Sequence, residues 1–217
     1  MPLRPYDERL DHLLAQAARV FAERGYHSTT MRDLAAASGM SLAGMYYYTR
    51  GKEELLYLIQ ERCFTRVLEG ARGALADRDD APERLQAFIR HHVTFFAHHM
   101  AEMKVLSHEA ESLAGELNER VSAKKEKYAR LARKILREIQ EQQRTKAQID
   151  LTVAAYALFG MMNWIYNWYD PRGKLSVKQL VDNITRLFLS GFLSPEEAEF
   201  ALATSPAREK VNIWRTA

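Results

Sequence analysis

Cysteine is almost absent from this sequence, because Cys63 is the only one among 217 residues. A single cysteine excludes an internal disulfide framework and favours a reducing, cytoplasmic setting. No apolar run reaches the roughly 18 residues that a membrane span requires. The N-terminus also carries charges where a signal peptide would have its apolar core. We therefore expect neither secretion nor membrane insertion.

The sequence also lacks the common signatures of enzymes. It contains no glycine-rich phosphate loop, no recognisable nucleophile and base arrangement, and no His-Glu-x-x-His metal pair. Four histidines within residues 91–99 suggest a metal hypothesis, because His92 and His99 would share one helix face. The competing interpretation is that they are partly buried polar residues. We predict no metal, no cofactor and no catalytic activity.

Charge gives little guidance about partners. The formal net charge of +3 and the pI near 8.9 permit nucleic-acid binding without requiring it. Within residues 1–55, the seven lysines and arginines equal the seven aspartates and glutamates. Any contact with DNA must therefore come from local geometry.

The stretch TTMRDLAAASGMSLAGMYYYTRGKEELL, residues 29–56, predicts two helices joined by a tight turn and a third helix that begins at once. Small alanines before the turn and the permissive backbone of Gly39 let the two helices cross closely. The second helix is expected to span about seven residues, from Ser41 to near Thr49. It cannot be stable alone, so its neighbours must clamp it, and its outer face can then enter a DNA groove.

Local signals define what surrounds this turn. An apolar stripe over residues 7–24 predicts a helix that Gly25 ends. Thr30 and Asp33 form a capping-box pattern at the start of the next helix. Its free N–H groups, with the hydroxyls of Thr29 and Thr30, are suited to holding a phosphate. The alternative is that the threonines only cap the helix.

The tyrosine cluster divides between two helix faces. At helical spacing, Met45 and either Tyr48 or Thr49 pack inward. Tyr46 and Tyr47 cannot both share that face. At least one of them should present its hydroxyl outward as a phosphate or base-edge contact.

Five phrases in the N-terminal part carry a family resemblance. They are FAERGY at residues 21–26, TTMRDLA at 29–35, GMS at 39–41, MYYY at 45–48 and KEELL at 52–56. Together they resemble the DNA-binding domain of the TetR family of transcriptional regulators. The resemblance implies a three-helix DNA-binding domain on an all-helical body that senses a ligand and dimerises. It implies phosphate contacts by Thr29, Thr30, Ser41, Tyr46, Tyr48 and Lys52, and groove-facing positions at Leu42, Ala43, Gly44 and Tyr47.

The same resemblance sets the predicted domains. Residues 1–56 would form the helix-turn-helix DNA-binding domain, with the third helix continuing to about residue 76. Residues 57–217 would form an antiparallel helical domain for effector binding and dimerisation. Leu42, Gly44 and Thr49 depart from the Lys, Thr and Phe that many members carry. The operator sequence therefore cannot be carried over, although Leu42 could contact thymine methyl groups.

The body of the chain is predicted to be helical throughout. After a loop at residues 74–82, an aromatic-faced helix spans residues 85–99, with Met100 and Met103 at its end. A long helix over residues 116–143 follows. Residues 119–146 hold ten lysines and arginines against four glutamates. This surplus is typical of a solvated face, or of a surface that binds the phosphates of an anionic ligand.

Two apolar helices close the body. Residues 148–169 predict a 22-residue helix that is apolar almost all round, so it must be covered on every side. A second apolar helix, capped by Ser176, extends to about Gly191. A symmetric four-helix bundle between two copies would cover both, which predicts a homodimer. A short tail helix after Ser194 is also expected, with fraying past Ser205, although Trp214 could dock on the body.

The phrase NWIYNWYDPRGKLS, residues 163–176, carries a second resemblance. It is similar to the end of the ligand domain in TetR-type regulators of fatty-acid or sterol-ring degradation that respond to acyl-coenzyme A. This resemblance implies an acyl tunnel lined by aromatic residues, with basic residues of the long helix meeting the coenzyme phosphates. An alternative role for its tryptophans is to lock the dimer bundle. The predicted effector-binding residues are Phe95, Phe96, His99, Met103, Tyr128, Tyr156, Asn163, Trp164, Asn167 and Trp168.

The combined prediction is a homodimeric, cytoplasmic repressor, associated with the bacterial nucleoid, that binds double-stranded operator DNA. A small-molecule effector releases it, and an acyl-coenzyme A thioester is the predicted effector, in control of lipid or related carbon catabolism. The alternatives are a TetR-like regulator of another hydrophobic effector, an adaptor that responds to a protein, and a lipid-handling enzyme.

Overall fold

The computed structural model describes residues 5–109, 111–142, 144–145, 149–193 and 195–196. Its regular elements within these ranges are helices, which confirms the predicted all-α fold class. They are α1 (Pro5–Arg24), α2 (Met31–Ser38), α3 (Leu42–Tyr46), α4 (Lys52–Leu75), α5 (Ala81–His98), α6 (Met100–His108), α7 (Gly115–Glu141), α8 (Leu151–Asn163) and α9 (Val177–Phe192). A 3-10 turn, Trp164–Asn167, follows α8 directly. None of the helices described is both long and apolar enough to cross a membrane.

Part of the predicted body lies outside the described residues. The tail from Ser194 onward does so, apart from residues 195–196, and this includes Trp214. Lys146 and Gln148 also lie outside them.

The described residues group into two compact units. The first unit takes in the residues up to Arg66 together with His99–Glu126. The second unit takes in Val67–His98 and the described residues from Lys127 onward. The helices α4 and α7 therefore contribute to both units. The predicted domain boundary between residues 56 and 57 falls within α4 and inside the first unit.

Apolar side chains from every helix of the first unit form its core. Its buried members include Leu13 and Phe21 of α1, Leu34 of α2, Met45 of α3, Leu55 of α4, Val105 of α6 and Val121 of α7. The segment 99–126 thus packs into the same core as α1 to α4. The packing unit around the turn is therefore larger than the predicted domain of residues 1–56.

In the second unit, α5 packs against α8 and α9. Five rings from three helices form an aromatic cluster there, with the centroids of the contacting rings 4.7–6.4 Å apart. The members of this aromatic cluster are Phe88, His92, Phe96, Tyr128 and Phe159. His92 is the polar centre of an otherwise aromatic core.

Two hydrogen bonds satisfy the imidazole of His92. The Tyr128 hydroxyl lies 3.0 Å from Nδ1 of His92, and Oδ1 of Asn163 lies 3.0 Å from Nε2. An amide oxygen can only accept, so Nε2 carries the proton and the tyrosine donates to Nδ1. Burial lowers the pKa of His92 from 6.5 to about 3, because the charged imidazolium would be removed from water. The imidazole is therefore neutral at physiological pH.

Two helices, α3 and α5, end earlier than predicted. α3 has five residues and ends at Tyr46, because the chain turns there and both Tyr48 and Thr49 donate their N–H groups to Met45 O. α5 ends at His98, whose Nδ1 lies 2.7 Å from the carbonyl oxygen of Thr94 in the last turn. Met100–His108 is therefore a separate helix, not the end of α5.

The predicted 22-residue helix over residues 148–169 is shorter in the structure. Asp150 starts α8 as an N-cap, because its carboxylate accepts the N–H groups of Thr152 at 2.8 Å and Val153 at 3.0 Å. The helix ends at Asn163, where aromatic and β-branched residues of low helix propensity follow and the chain tightens into a 3-10 turn. The capping box of α9, formed by Ser176 and Gln179, confirms the predicted start of that helix.

The buried, neutral His92 predicts a specific pH dependence of stability. Between pH 6.5 and about 3 the unfolded chain binds a proton at this residue that the folded chain does not bind. Stability should therefore fall as the pH drops through this window. The substitution His92→Gln should remove up to about 1.4 kcal/mol of that loss per pH unit, measured by urea unfolding at a series of pH values.

The matched control is His98→Gln, which changes an exposed histidine on the same helix. It shows how much a change from histidine to glutamine on α5, outside the aromatic cluster, alters the dependence of the unfolding free energy on pH. Equal slopes in the native protein and in His92→Gln would contradict a histidine that is neutral when folded.

Candidate functional site

The start of α2 presents backbone donors at the surface. Thr30 is its N-cap, and its hydroxyl oxygen accepts the N–H of Asp33 while the Asp33 carboxylate accepts the N–H and the hydroxyl of Thr30. The predicted capping box is thus confirmed. The N–H groups of Met31 and Arg32 have no acceptor within the helix. They are the groups of α2 that can meet a phosphate.

The turn after α2 depends on Gly39. This residue has a φ of 66° and a ψ of 22°, in the left-handed region that favours glycine. Its N–H donates to the carbonyl oxygens at the end of α2, and Met40 N–H donates to Ala35 O at 3.0 Å. The turn thereby leads directly to α3.

The short helix α3 is fixed from below by one fully buried residue, Met45. Ser41 caps its start, where the hydroxyl oxygen accepts the N–H of Gly44 at 3.0 Å. The hydrogen of that hydroxyl remains able to donate to a phosphate. Tyr46 and Tyr47 point outward, with 53% and 73% of their surface exposed. Both tyrosines therefore face outward, whereas the helical spacing required at least one of them to do so.

The other predicted DNA-contacting residues of α3 differ in exposure. Leu42 and Ala43 are exposed, whereas Gly44 is half-buried. Tyr48 is half-buried against the core of the first unit, and its ring lies edge-on to Tyr47 with 5.1 Å between centroids. Tyr48 therefore supports the exposed Tyr47. Its own predicted phosphate contact stays a prediction.

The structure does not support phosphate contacts by the side chains of Thr29 and Lys52. Thr29 is buried and its hydroxyl donates to Gly25 O at 2.7 Å. The ammonium of Lys52 donates to the carbonyl oxygens of Tyr26, His27 and Thr29 at 2.9, 3.3 and 3.0 Å. An ammonium has three hydrogens, so these three acceptors use all of them. Both side chains instead hold the connector between α1 and α2.

Two exposed cations beside this surface are not among the predicted DNA-contacting residues. Arg32 is exposed in the first turn of α2, next to the N–H groups that lack acceptors, and Arg50 is exposed just after the tyrosines. Their positions beside TTM and YYY are the sequence signal that could have identified them. Exposed arginines at such places suit the phosphate backbone of DNA.

The predicted effector-binding residues divide into three groups. Phe96 and Tyr128 belong to the aromatic cluster, Phe95 lies 5.1 Å from Phe96 between ring centroids, and Asn163 bonds to His92. His99 and Met103 belong to the first unit, where Met103 is buried. The remaining four, Tyr156, Trp164, Asn167 and Trp168, are exposed on α8 and the turn after it.

The exposed group lies apart from the aromatic residues that were predicted with it. Tyr156 does not enter the aromatic cluster, and Phe159 takes that place three residues later on α8. Phe88 and His92 also belong to the cluster and are not among the predicted effector-binding residues. Their apolar helix spacing on α5 was the available signal.

The helices α8 and α9 present an outward apolar face in the second unit. Large apolar side chains on these helices and on the turn after α8 have 43–69% of their surface exposed. This outward apolar face consists of Val153, Tyr156, Trp164, Trp168 and Leu187. Val153 and Tyr156 are three residues apart and share one face of α8, and large apolar side chains exposed together are typical of an interface.

The outer side of α7 carries a basic stripe within the second unit. It consists of Lys127, Arg130, Lys134 and Arg137, which are exposed and spaced by three or four residues. Lys134 lies 3.9 Å from the Glu138 carboxylate. Tyr128 on the same helix points inward to the aromatic cluster, so α7 has one basic and one aromatic side.

Metal binding has no support in the described part of the chain. No group of three or more histidine, cysteine or carboxylate side chains lies close enough there to hold an ion. His92, one of the two residues behind the metal hypothesis, has both ring nitrogens in hydrogen bonds.

Two family models match the chain. The model described as bacterial regulatory proteins, tetR family, matches residues 13–57. The model described as tetracyclin repressor-like, C-terminal domain, matches residues 78–192, which is more than half of the chain.

Similar proteins include curated regulators and a solved structure. The HTH-type transcriptional repressor KstR2 of Mycobacterium tuberculosis is 24% identical over 187 residues, which cover 85% of this chain and 93% of KstR2. The transcriptional activator FasR of Mycolicibacterium smegmatis is 34% identical over 94 residues, only 43% of either chain. The crystal structure of AibR with isovaleryl coenzyme A and operator DNA has a TM-score of 0.75 and 31% identity, and the match covers 82% of this chain and 97% of AibR.

These relatives regulate transcription and are not enzymes, in agreement with the sequence-based prediction. The matched models cover the turn that presents Tyr46 and Tyr47 as well as the helices of the body. The chain belongs to the TetR family of bacterial regulatory proteins, which bind operator DNA to control transcription.

Proposed function

We propose that this chain is a homodimeric repressor that an acyl-coenzyme A thioester releases from its operator. The observation that carries the DNA contact is the outward pair Tyr46 and Tyr47 on a helix anchored by the buried Met45. A helix held in this way can enter the major groove, with tyrosine hydroxyls at phosphates and small residues near base edges. Repression is the activity that the name of KstR2 gives for a relative aligned over most of its length.

The outward apolar face supports a homodimer. Its five large side chains would be covered if the α8 and α9 helices of two copies packed together. Two recognition helices would then meet successive major grooves, about 34 Å apart. The first 55 residues of one copy carry as many acidic as basic side chains, so pairing supplies affinity that a single copy lacks.

Two surfaces of α7 support the proposed effector. The aromatic cluster around Tyr128 offers apolar contact area for an acyl chain, while the basic stripe offers cations for the coenzyme phosphates. AibR, which is similar over most of its length, was crystallised with isovaleryl coenzyme A. The proposed process is catabolism of lipids or related carbon compounds.

Release from DNA follows from different affinities for two states. An effector that binds the state with poor DNA affinity 100-fold better lowers operator affinity by up to about 100-fold, or roughly 2.7 kcal/mol. The operator must weaken effector binding by the same factor.

The substitution Tyr47→Ala should weaken operator binding about 5- to 150-fold, because it removes the most exposed side chain of α3. Tyr47→Phe removes only the hydroxyl, so it shows how much of the loss comes from the hydroxyl and how much from the ring. Arg32→Ala removes a cation and should lower the slope of log Kd against log salt concentration by about one. Fluorescence anisotropy with the chain's own upstream DNA measures both effects. Unfolding free energy should stay within about 0.5 kcal/mol of native for these surface changes. Native affinity in all three variants would contradict the assigned surface.

Introducing a charge at the outward apolar face should split the dimer. Leu187→Asp would bury an unpaired carboxylate in the proposed interface, which should weaken dimerisation at least about tenfold. Sedimentation equilibrium measures the change. Ser122→Asp, at an exposed position of α7 in the first unit, is the matched control and should leave the dimer unchanged. A native protein that sediments as a monomer would refute the proposal.

Acyl-coenzyme A thioesters of graded chain length should release the protein from upstream DNA. The matching acyl-pantetheines lack the adenosine phosphates and should require at least about tenfold higher concentrations, because even one charged hydrogen bond to phosphate contributes roughly 1.5–3 kcal/mol. Anisotropy competition measures the release.

The double variant Lys127→Gln and Arg137→Gln should lose most of the preference for the coenzyme form, since both residues belong to the basic stripe. Lys125→Gln, on the opposite side of α7, should keep it. Release by no thioester of any length would exclude this class of effector while leaving DNA binding untouched.

A further inference from the structure

The connector between α1 and α2 is held on its carbonyl side by Lys52. Three of its carbonyl oxygens accept hydrogen bonds from that ammonium, and the Tyr26 ring lies 4.4 Å below it. Tyr26 itself is buried. Its backbone N–H therefore also needs a protein acceptor, because a buried N–H without one is costly.

That acceptor comes from a residue 83 positions away. Oε1 of Glu109, which follows the end of α6, accepts the Tyr26 N–H at 3.1 Å. The second carboxylate oxygen accepts the Ser112 hydroxyl at 2.7 Å. Both oxygens are thus engaged, and the carboxylate is fixed in orientation.

The backbone of Glu109 is fixed as well. The buried amide of Gln60, on α4, donates to the carbonyl oxygen of Glu109 at 3.1 Å. Glu109 therefore joins α4 to the connector through both its main chain and its side chain. All of these residues belong to the first unit.

The competing interpretation is that this hydrogen bond only stabilises the fold. Its position indicates a further role in DNA binding. Tyr26 lies four residues before the Thr30 N-cap, so the angle of the connector sets the direction in which the N–H groups of Met31 and Arg32 point. A small rotation there would move these donors away from a phosphate. An anionic acceptor also forms a stronger and more directional bond than a neutral one.

We propose that Glu109 is a positioning residue for operator binding, whose carboxylate holds the Tyr26 N–H and thereby orients the start of α2. The inference rests on the proposed phosphate contact at α2. By this inference, the segment after α6 contributes to DNA binding, although the family model for the C-terminal domain includes that segment.

The test compares Glu109→Ala with Glu109→Gln in the full-length protein. The alanine variant removes the acceptor and should raise the operator Kd about 5- to 50-fold. The glutamine variant keeps an oxygen for the Tyr26 N–H and should bind within about threefold of native. Amide exchange of Tyr26, followed by mass spectrometry, should become about tenfold faster in the alanine variant only.

Arg62→Ala is the matched control, because it breaks another link between α4 and α1 in the same unit, the 2.9 Å pair of Arg62 with Asp11. It should leave operator affinity unchanged. An equal loss in Arg62→Ala and Glu109→Ala would reduce the role of Glu109 to general stability and overturn the proposal. Native exchange at Tyr26 in Glu109→Ala would overturn it too. That measurement needs no DNA, so it tests the hydrogen bond between Glu109 and Tyr26 separately from the proposed DNA contact.

Discussion

A five-residue helix cannot hold its own shape, and this constraint governs the DNA-binding half of the molecule. So few residues make too few internal hydrogen bonds to offset the ordering of the backbone. The form of α3 is therefore imposed from outside, by the buried Met45 beneath it and by Ser41 at its start. Thr49 closes the other end, because it is buried and its hydroxyl donates to Gly51 O at 2.8 Å. The threonine that departs from the family pattern thus ties α3 to the start of α4.

The same dependence extends to parts of the chain that lie far away in sequence. Val105 and Val121 pack into the core that supports α1 to α4, and Glu109 reaches the connector before α2. The family model of the C-terminal domain includes all three residues. The domain boundaries given by the family models therefore differ from the boundaries of the two packing units. Continuous helices that belong to both units, α4 and α7, are physical routes by which a change in one unit could affect the other.

Signals within a few residues of each other were readable from the sequence. Gly25 and Gly39 have positive φ values of 81° and 66°, as a helix end and a tight turn require. The capping box of Thr30 with Asp33 and the N-cap at Ser176 also form between residues three apart. What could not be read were partners distant in sequence. By its motif, Lys52 was expected to bind phosphate, whereas the fold places three carbonyl oxygens within hydrogen-bond distance of its ammonium. Likewise, the pattern of α8 is apolar on all sides, so only packing could decide that Phe159 turns inward and Tyr156 outward.

The location of charge in the second unit bears on which effector it suits. His92 is neutral at physiological pH, with its pKa lowered to about 3 by burial, and its neighbours in the aromatic cluster are neutral too. A free fatty acid whose carboxylate entered this core would find no cationic partner in His92, and burying an unpaired charge is costly. A thioester carbonyl is neutral and needs only a hydrogen-bond donor. Its phosphates lie at the far end of the coenzyme, where the exposed basic stripe of α7 could bind them without burial. This distribution of charge is the physical argument for proposing a coenzyme A thioester, and not the free acid, as the effector.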